Sequence, residues 1–328
     1  MKIFVCDGGA FGTAMAVILA RAGHDVCLLV QIFDQRRKDM FYNIKYGAQK
    51  CNYLHLPGVE LPKMEFTDNF SAVKGADVVF LGVPSQYVWN AFLKIKGELG
   101  KNTETTIVLL TKGLDDYSAL PFGIKIRNRL KLGGNHNFAV ISGGTPAQAL
   151  ADPYRTFVAS VAGENLNVIK KIRRMFLKTN LATVGTTDII GVSWGGALKN
   201  AYAIKYGMLT GLGKSDLAWE YVNKLALPEI KIFLDYAGAK PKTLYSPAVA
   251  GDFRLTCMGY IDWESRNVSF GRFLALRPAK ETIAKYIAMH TVEGYESAMI
   301  LRKISREHNL KTPILEEIYS VCTGAPPC

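Results

Sequence analysis

Two lysines and one aspartate lie in sequence surroundings where a charged side chain is unusual. Lys112 directly follows the strand-like run TIVLLT, and Lys199, with Asn200 beside it, lies in GVSWGGALKNAYAI, a helix-like stretch of small and apolar residues. Asp252 belongs to a third stretch, GDFRLTC, which also contains Thr256. Lys112 falls at the carboxyl end of a predicted strand, where ligands bind in parallel sheets. These positions suggest a binding pocket rather than a solvated surface.

A phosphate-binding element is predicted in the segment SRNVSFG. Ser265 has the side chain of a helix N-cap, so the next helix should begin at Arg266. An arginine and an asparagine, here Arg266 and Asn267, are well suited to hold a phosphate at a helix N-terminus. With the two lysines they predict a cationic pocket that contains one carboxylate. Each residue alone is also compatible with a solvated or packing role, and Lys199 with a lysine that extends over a glycine interface.

A glycine-rich turn joins the first predicted strand to the first predicted helix, in MKIFVCDGGAFGTAMA. The order strand, turn, helix, strand is that of a dinucleotide-binding turn, G-x-G-x-x-G, and Gly9 and Gly12 hold its second and third glycines. Asp7 replaces the first glycine and brings a negative charge near the expected diphosphate. The turn could also be a glycine-rich turn without a nucleotide. The residues of the predicted cofactor site are Gly8, Gly9, Ala10, Phe11 and Gly12, together with Pro84 and Ser85 in GVPSQYV.

The end of the second predicted strand bears on the choice between NAD and NADP. The chain there reads VQIFDQRRK, without a carboxylate at the strand end to bind a ribose. The basic residues that follow favour NADP, because an arginine at this point can accommodate the 2′-phosphate. Asp34 could still reach a ribose from the loop. The cofactor is therefore predicted as NAD or NADP.

Whole-chain composition limits the class of protein. The chain has 328 residues, 49% of them hydrophobic, and a formal net charge of +12. Its longest apolar runs are much shorter than the roughly 20 residues that span a membrane, and the first strand leaves no space for a signal peptide. The six cysteines form no C-x-x-C pair, so neither zinc nor disulfides are expected, Cys6 and Cys27 should be buried, and Cys328 should be free. The basic residues are dispersed, which favours an anionic substrate and cofactor over nucleic acid. We expect a cytoplasmic protein without a metal or a membrane span.

The elements that must position these residues change in kind along the chain. Six strand-like segments alternate with helices such as Phe11–Ala22 and Tyr87–Glu98: KIFVC, DVCLLV, DVVFLGV, TIVLLT, FAVIS and TFVASVA. The segment YLHLPGVELPKMEF should be irregular. After Thr187 helical spacing dominates. The pattern predicts an α/β fold, with a Rossmann-like, doubly wound, mostly parallel sheet in a dinucleotide-binding domain (1–187) and an all-α, substrate-binding and catalytic domain (188–328).

Together these stretches resemble the NAD(P)-dependent sn-glycerol-3-phosphate dehydrogenase family. The resemblance rests on DGGAFGTAMA, YLHLPGVELP, GVPSQ, TKGL, ISGGTPAQAL, GGALKNAYAI, GDFRLTC, SRNVSFG and VEG, which follow one another through nearly the whole chain. It implies a Rossmann-like domain followed by a helical domain, a homodimer, and interconversion of dihydroxyacetone phosphate and sn-glycerol 3-phosphate with NAD(P)H.

The resemblance also implies residue roles. Lys199 would be the catalytic lysine, Lys112 a second cation at the reacting oxygen, and Asp252 their orienting counter-charge. Thr256, Asn200, Arg266 and Asn267 would bind substrate, and Glu293 in VEG would bind cofactor.

Three departures from the family pattern leave other functions open. Asp7 replaces a glycine, SGGTPAQA (142–149) replaces a segment that commonly reads like SGPSFA, and MGYIDWE (258–264) is longer than expected. The same chemistry on a related three-carbon phosphate or phosphonate ketone is one alternative. A non-catalytic nucleotide-binding homologue is another, although a sensor would not need the two lysines and Asp252.

Overall fold

The computed structural model describes residues 1–47, 51–100, 104–132, 137–259 and 264–326. The chain forms two compact units. The first comprises Met1–Thr111, Phe122–Ile141 and Thr145–Ile189, and the second comprises Lys112–Pro121, Ser142–Gly144 and the chain from Ile190 onward. Cys328 and residues 260–263 of the long segment 258–264 lie outside the described residues.

The first unit is built on an eight-stranded sheet with the strand order β3-β2-β1-β4-β5-β6-β7-β8. The strand pairs β1–β2, β1–β4, β2–β3, β4–β5, β5–β6 and β7–β8 are all parallel. The central strands are buried on both faces, which explains their continuous apolar sequences. The strands are β1 (Lys2–Cys6), β2 (Asp25–Leu29), β3 (Glu65–Thr67), β4 (Val78–Leu81), β5 (Thr106–Leu109), β6 (Asn137–Gly143), β7 (Phe157–Gly163) and β8 (Leu181–Thr186).

Helices follow most of these strands. They are α1 (Ala10–Arg21), α2 (Gln35–Tyr46), α3 (Ser85–Leu99), α4 (Phe122–Lys131), the short α5 (Ala147–Leu150) and α6 (Leu166–Met175), with a 3-10 turn at Phe70–Val73. The six predicted strands and the predicted α/β class are confirmed. The prediction missed β3 and β8, and it was wrong to treat YLHLPGVELPKMEF as irregular to its end, because Glu65 and Phe66 belong to β3.

The second unit is helical. After Thr186 the described residues contain no strand. The helices are α7 (Ile189–Gly211), α8 (Ser215–Glu220), α9 (Ala226–Tyr236), α10 (Asp252–Met258), α11 (Arg266–Ala275), α12 (Lys280–Met289), α13 (Glu293–Glu307) and α14 (Pro313–Cys322). A 3-10 turn covers Pro241–Tyr245, and π-turns cover Tyr221–Leu225 and Pro247–Gly251. Within the described ranges, no helix has both the length and the apolarity to cross a membrane.

Glycines allow close packing around α7. A Cβ atom at Gly207 of α7 would lie 2.1 Å from the carbonyl oxygen of Val268, and one at Gly271 of α11 would lie 2.1 Å from that of Ile204. The two helices therefore cross at a distance that only glycine permits at these two positions. This crossing fixes α7, which carries Lys199, against α11, which carries Asn267.

Candidate active site

Lys112 and Lys199 share the carboxylate of Asp252. Lys112 Nζ lies 2.6 Å from Asp252 Oδ2, and Lys199 Nζ lies 2.9 Å from Asp252 Oδ1. The Asp252 side chain is 2% exposed, whereas those of Lys199 and Lys112 are 10% and 21% exposed. One nearly inaccessible carboxylate thus pairs with two lysines whose side chains are mostly buried. Buried charges are expected to be paired in this way.

Local backbone geometry brings Lys112 to this carboxylate. The residue follows β5, and Gly113 after it has φ +126°, a conformation that favours glycine. Lys112 Nζ also donates to the carbonyl oxygen of Gly143, at 3.0 Å. A Cβ atom at Gly196 of α7 would lie 3.1 Å from Lys112 Cγ, so the glycine leaves room for the lysine stem. This explains part of the Gly-Gly pair in α7, whose other member packs on Val249.

The hydroxyl group of Thr256 contacts two of these charged side chains, Lys199 and Asp252. It lies one helical turn after Asp252 in α10, and both are 1% exposed. Lys199 Nζ donates to Thr256 Oγ1 at 2.7 Å, and this hydroxyl donates to Asp252 Oδ1 at 3.4 Å. Burial, together with the neighbouring Lys199 ammonium, lowers the pKa of Lys112 although Asp252 opposes the shift. Lys112 therefore releases a proton more readily than an isolated lysine does.

Two asparagines and a glutamate form a second polar group in the helical unit. Asn267 Nδ2 donates to Asn200 Oδ1 at 3.1 Å, and Asn200 Nδ2 donates to Glu293 Oε2 at 3.0 Å. The Gly294 N–H donates to Asn267 Oδ1 at 2.9 Å. These contacts tie α7, α11 and the start of α13 together. The VEG motif predicted Glu293 as a cofactor-binding residue, but nothing in the sequence predicted its hydrogen bond with Asn200.

Arg266 and Ser265 lie at the start of α11. The Ser265 side chain accepts a hydrogen bond from the Asn267 N–H at 3.3 Å, so Ser265 caps the helix as predicted. Arg266 is exposed at the first helical position. Its guanidinium and the helix N-terminus together favour an anion.

The glycine turn of the first unit forms the N-terminus of α1, whose N-cap is Gly9. The Asp7 carboxylate accepts hydrogen bonds from the N–H groups of Gly9 at 2.7 Å and Gly12 at 2.8 Å. Ala10 and Phe11 hold the first two helical positions, whose N–H groups cannot bond within the helix. A Cβ atom at Gly12 would lie 2.3 Å from the Asp7 carbonyl oxygen, so the turn is as tight as a dinucleotide-binding turn requires. These residues fit a dinucleotide diphosphate, with Asp7 as the departure.

Asn52 braces this turn and was not predicted. It is fully buried, and its Nδ2 donates to the Gly8 carbonyl oxygen at 3.1 Å and to Thr13 Oγ1 at 2.8 Å. The His55 N–H donates to its Oδ1 at 3.2 Å. Nothing in the local pattern around Asn52 distinguishes it from an ordinary loop asparagine.

The segment after β2 presents cationic and aromatic groups. Asp34 caps α2 by accepting from the Arg37 N–H at 2.8 Å, and the Arg37 guanidinium lies 4.2 Å from the centroid of the exposed Phe33 ring. Asp34 is the one acidic residue in VQIFDQRRK, and the capping hydrogen bond occupies one of its two carboxylate oxygens. Pro84 and Ser85 hold the N-cap and first positions of α3, after β4.

The parallel sheet with its glycine turn and the helical unit with its paired lysines define a two-domain, nucleotide-dependent oxidoreductase. Residues 2–167 match the N-terminal domain, and residues 188–328 the C-terminal domain, of the NAD-dependent glycerol-3-phosphate dehydrogenase family. The chain therefore belongs to this family of NAD(P)-dependent enzymes that act on CH–OH groups, which confirms the resemblance drawn from the sequence.

Individual relatives agree with this membership. The chain is 31% identical to glycerol-3-phosphate dehydrogenase [NAD(P)+] from Halorhodospira halophila, over 99% of this chain and 93% of the relative. It is also 31% identical to the enzyme of that name from Rickettsia prowazekii, over 98% of each chain. The crystal structure of glycerol-3-phosphate dehydrogenase from Coxiella burnetii superposes with a TM-score of 0.83 at 25% identity, covering 98% of this chain and 94% of that one.

Proposed function

We propose that this enzyme interconverts dihydroxyacetone phosphate and sn-glycerol 3-phosphate with NAD(P)H. The observation that carries the proposal is the pair of lysines on Asp252, at 2.6 and 2.9 Å. Two cations beside one position suit a carbonyl oxygen that becomes negative as the ketone is reduced. Bound NAD(P)H supplies the hydride that forms the new C–H bond.

In this proposal the lysines handle the oxygen of the substrate. Lys199 donates its proton to the carbonyl oxygen as the C–O double bond becomes single, and recovers a proton afterwards. Lys112 remains a second cation beside the same oxygen, and Asp252 orients both ammonium groups. Thr256, which accepts from Lys199 at 2.7 Å, fixes the direction of the Lys199 ammonium. In the oxidation direction, Lys199 accepts the hydroxyl proton.

We assign the substrate phosphate to the start of α11. Arg266 supplies the charge there, and the helix N-terminus supplies N–H groups. Asn200 and Asn267 hold α7 and α11 in fixed relation through their 3.1 Å hydrogen bond. A substrate held by its phosphate presents one face of its ketone, which accounts for formation of a single stereoisomer.

We also propose which residues bind the cofactor. Gly8, Gly9, Ala10, Phe11 and Gly12 would receive the diphosphate, while Pro84, Ser85 and Glu293 would contact the remainder of NAD(P). We further propose the domain limits 1–187 and 188–328, a homodimer, and a cytoplasmic location. Light scattering tests the dimer: a mass near 36 kDa would exclude it, because this is the mass of one chain.

The test follows NAD(P)H absorbance with dihydroxyacetone phosphate in the wild type, Lys199→Met and Lys231→Met. Loss of the proton donor should lower kcat by 10²-fold or more. Lys231 is a surface lysine paired with Asp235 in α9, so its variant should retain wild-type turnover. Full activity in Lys199→Met would refute the assignment of Lys199 as the proton donor. If the enzyme reduces a phosphonate analogue but not dihydroxyacetone phosphate, the same mechanism acts on the alternative class of substrate.

A further inference from the structure

The Asp7 carboxylate lies inside the turn that would hold the cofactor diphosphate. Both of its oxygens accept hydrogen bonds from N–H groups of the turn, those of Gly9 and Gly12, and the residue is 6% exposed. Gly82, at the end of β4, lies against the same carboxylate, because a Cβ atom there would be 3.2 Å from Asp7 Oδ2. The carboxylate is thus enclosed by glycine backbone, and water has little access to it.

Among the residues that the structure describes, few charged groups act on Asp7. Arg37 of α2 is the cation that favours its ionised form. The Cys6 thiol precedes it in β1, and burial raises the pKa of that thiol so far that it stays neutral. Lys94 of α3 acts on Cys6, and Asp34 caps α2. The negative charge of Asp7 is therefore stabilised mainly by two N–H dipoles and one arginine.

A diphosphate bound to the amides of Ala10 and Phe11 would add negative charge within the same turn. Two anions in a poorly solvated space repel each other strongly. The family pattern avoids this by placing glycine at the first position of the turn. We propose, on the basis of the function assigned above, that this enzyme takes up one proton on Asp7 when the dinucleotide binds.

The expected direction follows from this coupling. Burial raises the pKa of Asp7 to about 6, against the opposing effect of its two N–H bonds and Arg37. If only the protonated form accepts the dinucleotide, affinity falls as the pH rises through this value. Asp7 would be about three-quarters protonated at pH 5.5 and about 3% protonated at pH 7.5, so the dissociation constant rises by up to about 25-fold between them.

The test is isothermal titration calorimetry of the full chain with NAD+, at pH 5.5 to 8. NAD+ is used because, unlike NADP+, it has no 2′-phosphate that titrates in this range. Measurement in two buffers of different ionisation enthalpy gives the number of protons taken up, which should approach 0.9 per NAD+ at pH 7 in the wild type.

Asp7→Gly and Asp7→Asn should both bind NAD+ with no proton uptake and a nearly constant dissociation constant. Two variants are used because either one alone could fold poorly, and circular dichroism checks this. Glu98→Gln removes a half-buried carboxylate of the same unit, which pairs with Lys74, and should behave as the wild type.

Two results would overturn the proposal while leaving the cofactor assignment intact: wild-type binding without proton uptake, or loss of NAD+ affinity in the folded Asp7→Gly variant. Absence of NAD+ binding by the wild type and both variants at every pH would refute the cofactor assignment and the proposal together. NAD+ binding by Asp7→Gly but not by the wild type at pH 7.5 would support the repulsion in its strongest form.

Discussion

Replacement of Asp252 by asparagine should cost stability in a manner that depends on pH. The substitution keeps the shape of the side chain but leaves Lys112 and Lys199 without a counter-charge. Both ammonium groups lie within 3 Å of the carboxylate, which is 2% exposed. Removal of one partner from a buried pair costs about 3–5 kcal/mol.

The cost of removing a proton from one lysine sets an upper limit on this loss of unfolding free energy. One lysine of the variant can give up its proton, and with an ordinary lysine pKa of about 10.4 this costs about 4–5 kcal/mol at pH 7 and about 2 kcal/mol at pH 9. We expect Lys112 to be the lysine that loses its proton, because burial and the neighbouring Lys199 already lower its pKa. The folded variant then binds fewer protons than its unfolded chain, so its free energy of unfolding rises with pH relative to the wild type.

Urea unfolding followed by circular dichroism at pH 7 and pH 9 measures both effects. We expect Asp252→Asn to lose about 3–5 kcal/mol at pH 7 and about 2 kcal/mol less than that at pH 9. Asp235→Asn is the matched control, because Asp235 pairs with Lys231 on the surface of the same unit and should lose under about 1 kcal/mol. A loss below 1 kcal/mol for Asp252→Asn, or an equal loss at both pH values, would refute the reasoning.

Other positions give simpler expectations for thermal or urea unfolding. Gly207→Ala should destabilise by about 3 kcal/mol or more, because its Cβ atom would overlap the Val268 carbonyl oxygen. Gly97→Ala, within α3, should instead stabilise by about 0.5–1 kcal/mol, since a Cβ atom there meets nothing within 4 Å. Ser265→Ala should lose about 1 kcal/mol as the cap of α11 disappears. A neutral Gly207→Ala, a destabilising Gly97→Ala or a fully stable Ser265→Ala would each contradict the packing described.

The sheet was predictable where its strands are buried on both faces. Strands such as β4 and β5 consist of four buried apolar or β-branched residues each, and such runs favour strand structure. In contrast, β3 has only three residues beside a proline-rich segment, and β8 exposes Val184 at 49%. Their sequences are weak signals because pairing with neighbouring strands, rather than local composition, determines them.

The site was predictable as a set of residue types, but its contacts were not. Lys199 was singled out because a lysine among glycines and alanines needs a reason, and the structure gives it Asp252 and Thr256. Asn52 was missed because the two hydrogen bonds that its Nδ2 donates to the turn, at Gly8 and Thr13, cross about 40 positions of sequence. No short-range pattern encodes a contact of that separation.

Asp252 and Asp7, two of the buried aspartates, show why residue type alone does not determine electrostatic behaviour. Asp252 and Asp7 are 1% and 6% exposed, respectively. Asp252 has two ammonium groups as direct partners, so losing its charge would leave two cations uncompensated. Asp7 has two backbone N–H groups, and its pKa is raised to about 6 by burial. Protonation of Asp7 therefore sacrifices two N–H interactions and the longer-range attraction to Arg37, and the same change at Asp252 would sacrifice two ion pairs. A bound diphosphate is thus expected to neutralise Asp7, whose charge has no ammonium group as a direct hydrogen-bond partner among the described residues.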